Sequence, residues 1–227
     1  MQEHFNFKQS GRMRYSTILF DLDGTLTDSQ QGITTTISRV LQKLGQGSVS
    51  PENLVWCVGP PLRDSFIQLL GGEEARADEA MRLFGEFYEA GGMFLNRVYP
   101  GVCEALERLY SAGLRLAVVT GKPSWQAMPI LKHFGLARFF HSVHGPTADD
   151  RSEDKGRLLK RALEALGEPT ELCLYVGDRA VDVRGASANG LRMIAVRYGY
   201  GSDDELREAG AMLFADSPAD WLKVVLS

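Results

Sequence analysis

A short apolar run, Thr17-Ile18-Leu19-Phe20, ends abruptly in Asp21-Leu22-Asp23-Gly24-Thr25. This junction constrains the chain more than any other stretch. A brief apolar run closed by a turn signal reads as a strand buried on both faces of a parallel sheet. Ligands of open α/β sheets bind outside the carboxyl ends of such strands. Asp21 and Asp23 stand at that end, and Gly24 lets the chain turn away. Two close anions repel unless a cation sits between them, so a divalent ion is their natural partner. Asp-Gly is also a hairpin signal. A hairpin needs a partner strand at once, whereas Leu26-Thr27-Asp28-Ser29 and a long helical pattern follow.

Further strands are predicted at Arg115–Val119, 172–176, 193–196 and 212–214, and a weaker one at 139–143. Helical patterns separate most of them, at Val102–Ser111, 124–134, Lys155–Leu166, 181–188 and 218–225. Alternation of this kind indicates βα units, an α/β fold with a Rossmann-like, doubly wound parallel sheet. Gly113, Gly135, Gly167 and Gly190 fall where these helices should stop. Residues 29–97 break the alternation, with helical patterns at 32–44, 62–70 and 73–89 and no convincing strand. The predicted organisation is therefore a polar tail at 1–14, a core of 15–28 and 98–227, and an inserted all-helical domain at 29–97. Its hinges lie near 27–29 and 96–100, the second stiffened by Tyr99-Pro100-Gly101.

A formal net charge of -4 over 227 residues excludes a general affinity for nucleic acid or an anionic membrane surface. An anionic substrate must be attracted locally. Cys57, Cys103 and Cys173 form no CxxC pair and read as small buried residues, which favours a reducing, cytoplasmic compartment. The four histidines lack metal spacing, and His141 and His144 read as loop residues. Residues 1–14 hold no signal-peptide core, and Met13 is an alternative start. No run approaches the roughly 18 apolar residues that span a bilayer.

The next chemistry comes from a second strand end. The 172–176 strand runs into Gly177-Asp178-Arg179-Ala180-Val181-Asp182, which places Asp178 at the strand terminus and Asp182 one helical turn on. Converging carboxylates without a balancing basic cluster suit Mg²⁺, which prefers oxygen ligands. Thr120-Gly121, after Arg115–Val119, offers a hydroxyl and free N–H groups to a phosphate oxygen. Lys122 beside it reads as a surface lysine, with a phosphate contact the alternative. Lys155 opens a helix against the dipole, a hint that its charge is wanted nearby. Spacing alone does not choose between it, Arg151 and Arg157.

With these motifs in this order, the chain resembles the haloacid dehalogenase superfamily, closest to its phosphoglycolate-phosphatase-like branch, over residues 17–225. The helical insertion after the first motif looks like that superfamily's helical cap. The resemblance implies a Mg²⁺-dependent phosphatase acting on a small phosphorylated metabolite through an aspartyl-phosphate. It assigns Asp21 as nucleophile and Asp23 as general acid and base. Metal would be held by Asp21, Asp178 and the backbone carbonyl of Asp23, with Asp182 in support. Thr120, Gly121 and Lys155 would hold phosphate. Asp23 favours phosphoryl chemistry over dehalogenation. One departure is that the common Lys-Pro pair is replaced by Lys155-Gly156, with Arg151 as an alternative cation. A 5′-nucleotidase or a sugar-phosphate mutase of the same fold is the alternative, as monomer or homodimer. Arg63 is a candidate carboxylate clamp beside the turn Gly59-Pro60-Pro61, and Arg97 a further contact. Trp56 reads as core, with nucleobase stacking the alternative; the loop Tyr198-Gly199-Tyr200-Gly201 after a strand reads as an ordinary one, with a place on the rim of the site the alternative.

Overall fold

The computed structural model describes residues 14–59, 61–147 and 154–227. The expectations for the tail up to Met13, and for Pro60 and Arg151, lie outside those residues. Strand β1 (Thr17–Phe20) is followed by the two-residue β2 (Thr27–Asp28) and three helices, α1 (Gln30–Lys43), α2 (Leu62–Leu69) and α3 (Glu74–Glu89). β3 (Arg97–Val98) then returns the chain, and α4 (Val102–Ser111), β4 (Arg115–Val119), α5 (Ser124–His133) and β5 (Ser142–His144) follow. The remainder is α6 (Lys155–Leu166), β6 (Cys173–Gly177), α7 (Ala180–Ala188), β7 (Arg192–Val196), α8 (Asp203–Glu208), β8 (Phe214–Ala215) and α9 (Pro218–Leu226).

Six strands form one parallel sheet in the order β5-β4-β1-β6-β7-β8. Each central strand is apolar on both faces because each face meets helices. Ile18, Phe20, Val118 and Val176 point into one cluster with Leu106 of α4 and Trp221 of α9. Leu19, Val119 and Tyr175 point into another with Leu158, Leu159 and Ala162 of α6. Side chains alternate along a strand, so an uninterrupted apolar run is what a two-sided sheet requires. The architecture is Rossmann-like α/β.

The chain leaves β1 for β4 on one side and later places β6 on the other, so the crevice opens at the β1–β6 boundary. Phe20 pairs with Val176, and the Asp21 N–H donates to the Val176 carbonyl at 2.9 Å. This register brings Asp21 and Asp178 to the same rim.

Between β2 and β3 the described residues are helices and turns. α1, α2 and α3 bury Ile37, Leu41, Phe66, Ala80 and Tyr88 among themselves and against the sheet's cluster. β2 and β3, which the sequence did not suggest, pair antiparallel, Thr27 with Val98 and Asp28 with Arg97. They join the chain's exit from and return to the sheet at the two predicted hinges. No helix among the described residues is long and apolar enough to cross a membrane.

The edges of the sheet depart from expectation. Phe139 sits in a 3-10 turn, and only Ser142–His144 pairs as β5. Met212 is 90% exposed, and only Phe214–Ala215 joins the sheet. Edge strands are short and see one neighbour, so apolar periodicity marks them poorly. The short helix α8 was not anticipated; Ser202 caps it by accepting from the Glu205 N–H, and Asp203, Asp204 and Glu205 fill its first turn. Cys57 and Cys173 are buried, but Cys103 is exposed, because α4 turns Val102, Ala105, Leu106 and Leu109 to the sheet instead.

Candidate active site

Asp21 continues β1 into the crevice, where Leu22 N–H donates to its Oδ1 at 2.8 Å. Lys155 Nζ lies 3.1 Å from the same oxygen and 2.9 Å from Asp182 Oδ1. The lysine is buried, so its charge is matched inside the protein; the two carboxylates hold its ammonium well above the ordinary lysine range. That attraction explains how a cation can open α6 against the helix dipole. The approach of α6 to α7 depends on Gly185, where a Cβ would meet Lys155 Cγ at 3.0 Å. Asn189 Nδ2 donates to the Gly156 carbonyl at 2.9 Å and ties the same two helices.

Asp21, Asp178 and Asp182 present carboxylate oxygens that all lie within 4.8 Å of one another, and all three residues are buried. Their roles differ by partner. Asp182 is saturated. Its Oδ2 accepts from the Asp178 and Arg179 N–H groups (3.2 and 3.0 Å), and its Oδ1 from Lys155 and the Tyr175 hydroxyl. Asp178 accepts from Thr25 Oγ1 at 3.0 Å and from the Tyr200 N–H at 2.9 Å. No basic side chain among the described residues pairs with it. Burial, with Asp182 and Asp21 nearby, pushes its carboxyl well above the usual range. Burial likewise raises Asp21, with Lys155 pulling the other way. A buried carboxylate without a counter-charge, among oxygen donors alone, fits a hard divalent cation.

Glycines shape this space. At Gly24 the backbone is left-handed (φ 83), and a Cβ would stand 2.2 Å from Asp178 Oδ2. At Gly199 a Cβ would lie 2.3 Å from Asp178 Cβ.

Asp23 is placed differently. One of its oxygens, Oδ2, pairs with Lys122 Nζ at 3.3 Å, and the other, Oδ1, is buried with no hydrogen-bond partner among the described residues. Asp23 therefore lies outside the three-carboxylate group, although Asp21 still feels its charge. Lys122 is not the surface lysine expected from sequence: its side chain is 8% exposed, held between Asp23 and the Tyr88 hydroxyl of α3 at 2.9 Å. Thr120 is buried, and its Oγ1 accepts from the Lys122 N–H at 3.1 Å, which leaves its own proton for a ligand. A Cβ at Gly121 would meet no protein atom within 4 Å, so space is open there.

The structure thus gathers Asp21, Asp178 and Asp182 at one point with Lys155 on the first and last, and sets Asp23 with Lys122 beside Thr120. Other sequence candidates lie elsewhere. Arg63 pairs with Asp78 (2.7 Å) and Glu74 (3.3 Å) on the helical segment's surface. Arg97 binds Asp28 at 2.7 Å beside the hinge. Trp56, expected in the core, is 43% exposed. His144 belongs to β5 and contacts Ser142 Oγ at 2.8 Å.

Sequence reading missed Tyr175, whose hydroxyl accepts from Lys155 and donates to Asp182. The Tyr198–Gly201 stretch is not an ordinary loop but takes the alternative place, beside the site. The Tyr198 hydroxyl donates to the Thr25 carbonyl at 3.0 Å, and Tyr200 joins Asp178 to Ser29 and Asp28. The only local signal was the alternation of aromatic residues with glycines directly after a strand.

Against known proteins, the chain matches the family described as haloacid dehalogenase-like hydrolase over residues 18–196. It is 43% identical over 195 residues to a 5′-nucleotidase of Pseudomonas aeruginosa, covering 86% of this chain and 88% of that protein. A phosphoglycolate phosphatase of Vibrio parahaemolyticus is 32% identical, with 92% and 95% covered. Among solved structures, a predicted phosphatase from Clostridium acetobutylicum superposes with a TM-score of 0.86 at 38% identity, covering 93% of this chain and 98% of that one.

Proposed function

Starting from the membership of this chain in the haloacid dehalogenase-like hydrolase family, we propose that it is a Mg²⁺-dependent phosphatase that cleaves a small phosphomonoester by way of an aspartyl-phosphate. The observation that carries this reading is the meeting of Asp21, Asp178 and Asp182 at two adjacent strand ends with Lys155 on Asp21. Residues 29–97 act as a cap over a core of residues 15–28 and 98–227. The free cysteines accord with a cytoplasmic setting.

Asp21 Oδ attacks phosphorus, an Asp21–phosphorus bond forms, and the bond to the leaving oxygen breaks. Asp23 supplies a proton to that oxygen. Once the alcohol has left, Asp23 takes a proton from water, which attacks phosphorus and releases Asp21. Lys155 balances charge on Asp21, and Thr120 and the Gly121 N–H hold a phosphate oxygen. Asp21, Asp178 and the Asp23 carbonyl would hold Mg²⁺, with Asp182 fixing Lys155 and the start of α7. When bound, the ion neutralises carboxylate and phosphate charge so that two anions can approach.

The phosphatase relatives span substrates as different as a nucleotide and a two-carbon acid. For the second, the expected carboxylate clamp Arg63 is already committed to Asp78 and Glu74. Release of inorganic phosphate from p-nitrophenyl phosphate, with Mg²⁺ and with chelator, tests the reaction class. Stoichiometric free phosphate separates a hydrolase from a mutase. Asp21→Asn should lower kcat by about a thousandfold or more with the fold intact; a variant that still turned over would remove the nucleophile.

A further inference from the structure

A cavity of about 410 Å³ lies where the helical segment meets the sheet's carboxyl rim. Gln30, Trp56 and Val58 line it from one side, and Arg179, Gly199 and Tyr200 from the other. Its core wall is continuous with the acidic cluster, since the Tyr200 N–H donates to Asp178 Oδ2 at 2.9 Å. Tyr200 is also fixed at its far end, where its hydroxyl accepts from the Ser29 N–H (2.7 Å) and donates to Asp28 Oδ1 (3.1 Å). The opposite wall carries the exposed indole. Trp56 belongs to the turn Pro51–Cys57, whose Leu54 and Cys57 are buried while Trp56 stays 43% exposed. The turn therefore has an inward side, and Trp56 is not on it. An apolar ring system left in water beside a polar cavity is a recognition surface for another flat ring.

We propose that this cavity is the base subsite of a nucleoside 5′-monophosphate, with Trp56 as the stacking platform, Tyr200 as the rigid facing wall and the Gln30 amide reading the base edge. This rests on the phosphomonoesterase reading above and names its substrate class. The volume falls in the range of small-molecule sites, which run from about 300 to 1,000 Å³. A short acidic substrate is a poor match. It has no ring for the indole, and the cavity's one cation among its described lining residues, Arg179, is engaged by Glu205 (2.8 Å) and the Val58 carbonyl (3.2 Å). A glutamine amide offers one acceptor and two donors, which suits the mixed edge of a base better than a carboxylate.

The test compares kcat/KM for purine and pyrimidine nucleoside 5′-monophosphates with that for ribose 5-phosphate, which lacks only the base. The wild-type protein should prefer at least one nucleotide by tenfold or more. Base stacking is typically worth about five- to a hundredfold in affinity, so Trp56→Ala should cut that preference by about this factor, chiefly through KM. Trp56→Phe, which keeps a ring, should restore much of it. A wild type that handles ribose 5-phosphate as well as any nucleotide would overturn the subsite while leaving the hydrolase. So would a preference unmoved by Trp56→Ala. Failure to hydrolyse any of these esters, or p-nitrophenyl phosphate, would instead remove the phosphomonoesterase reading and the subsite with it.

Discussion

The ammonium of Lys122 donates to the hydroxyl of Tyr88 at 2.9 Å, so a residue just beyond β4 is joined to the last turn of α3. The same nitrogen lies 3.3 Å from Asp23 Oδ2. Contact between the helical segment and the core thus runs through the lysine that anchors the proposed general acid. Neighbouring Glu89 reinforces it, accepting from Trp125 Nε1 and Gln126 Nε2 on α5.

Tyr88→Phe keeps the ring stacked on Phe84 and removes only the oxygen that receives Lys122. A hydrogen bond to a charged group is worth roughly 1.5–3 kcal/mol, so kcat should fall by about tenfold or more if Lys122 needs that bond to hold Asp23. Replacing Asp23 by Asn should slow esters with poor leaving groups most. A series of aryl and alkyl phosphates measures both effects, and equal losses across the series would contradict the acid role.

Lys155→Met removes the cation shared by Asp21 and Asp182. Breaking a buried pair typically costs about 3–5 kcal/mol because the remaining charges are left uncompensated. Thermal unfolding should show a clear drop in Tm, partly reversed by millimolar Mg²⁺. Turnover should fall by about a hundredfold or more, as expected for a lost charge partner at the reacting centre. Lys155→Arg should recover little, since the Tyr175 hydroxyl and the Val119 carbonyl already crowd the ammonium.

Gly199→Ala should weaken metal binding without touching a ligand. The new methyl would lie 2.3 Å from Asp178 Cβ and 2.4 Å from the Gly24 carbonyl oxygen, so Asp178 must move. Isothermal titration with Mg²⁺ should report at least about a tenfold weaker Kd, consistent with the sensitivity of metal sites to their supporting shell. An unchanged Kd would place the ion elsewhere.

The acidic cluster also dictates a pH dependence. In the metal-free protein, burial raises the Asp21 and Asp178 carboxyls above their unfolded value of 3.8. Between that value and the folded ones, the folded state holds more protons than the unfolded state, so stability from these groups falls as pH rises. A bound divalent cation replaces those protons. The gain in Tm on adding Mg²⁺ should therefore grow from pH 5 to pH 7, and differential scanning fluorimetry at matched ionic strength measures it. A gain that shrank over that interval would show that these carboxylates do not bind the ion.

The legible part of the site was local. Asp21 and Asp178 each follow an apolar run, and strand-end position alone put them on one rim once the sheet was parallel. Lys155 was visible as a cation at a helix start, but spacing did not set it above Arg157, which α6 turns outward to Asp154. Lys122 lies inside and Trp56 outside, the reverse of what their local sequence predicts. Their neighbours in sequence say nothing of Tyr88, 34 positions away from Lys122, or of the turn that leaves an indole facing a cavity.

By itself the sequence determined a two-sided parallel sheet, a helical insertion and carboxylates at two strand ends, because apolar periodicity and turn chemistry act over a few residues. Tertiary structure alone decided which buried charge each carboxylate meets, that Asp23 stands apart with Lys122, and that Tyr200 closes one wall beside Asp178. Those outcomes depend on burial and on distances between elements far apart in the chain, and no local pattern encodes the cost of leaving a particular charge without a partner.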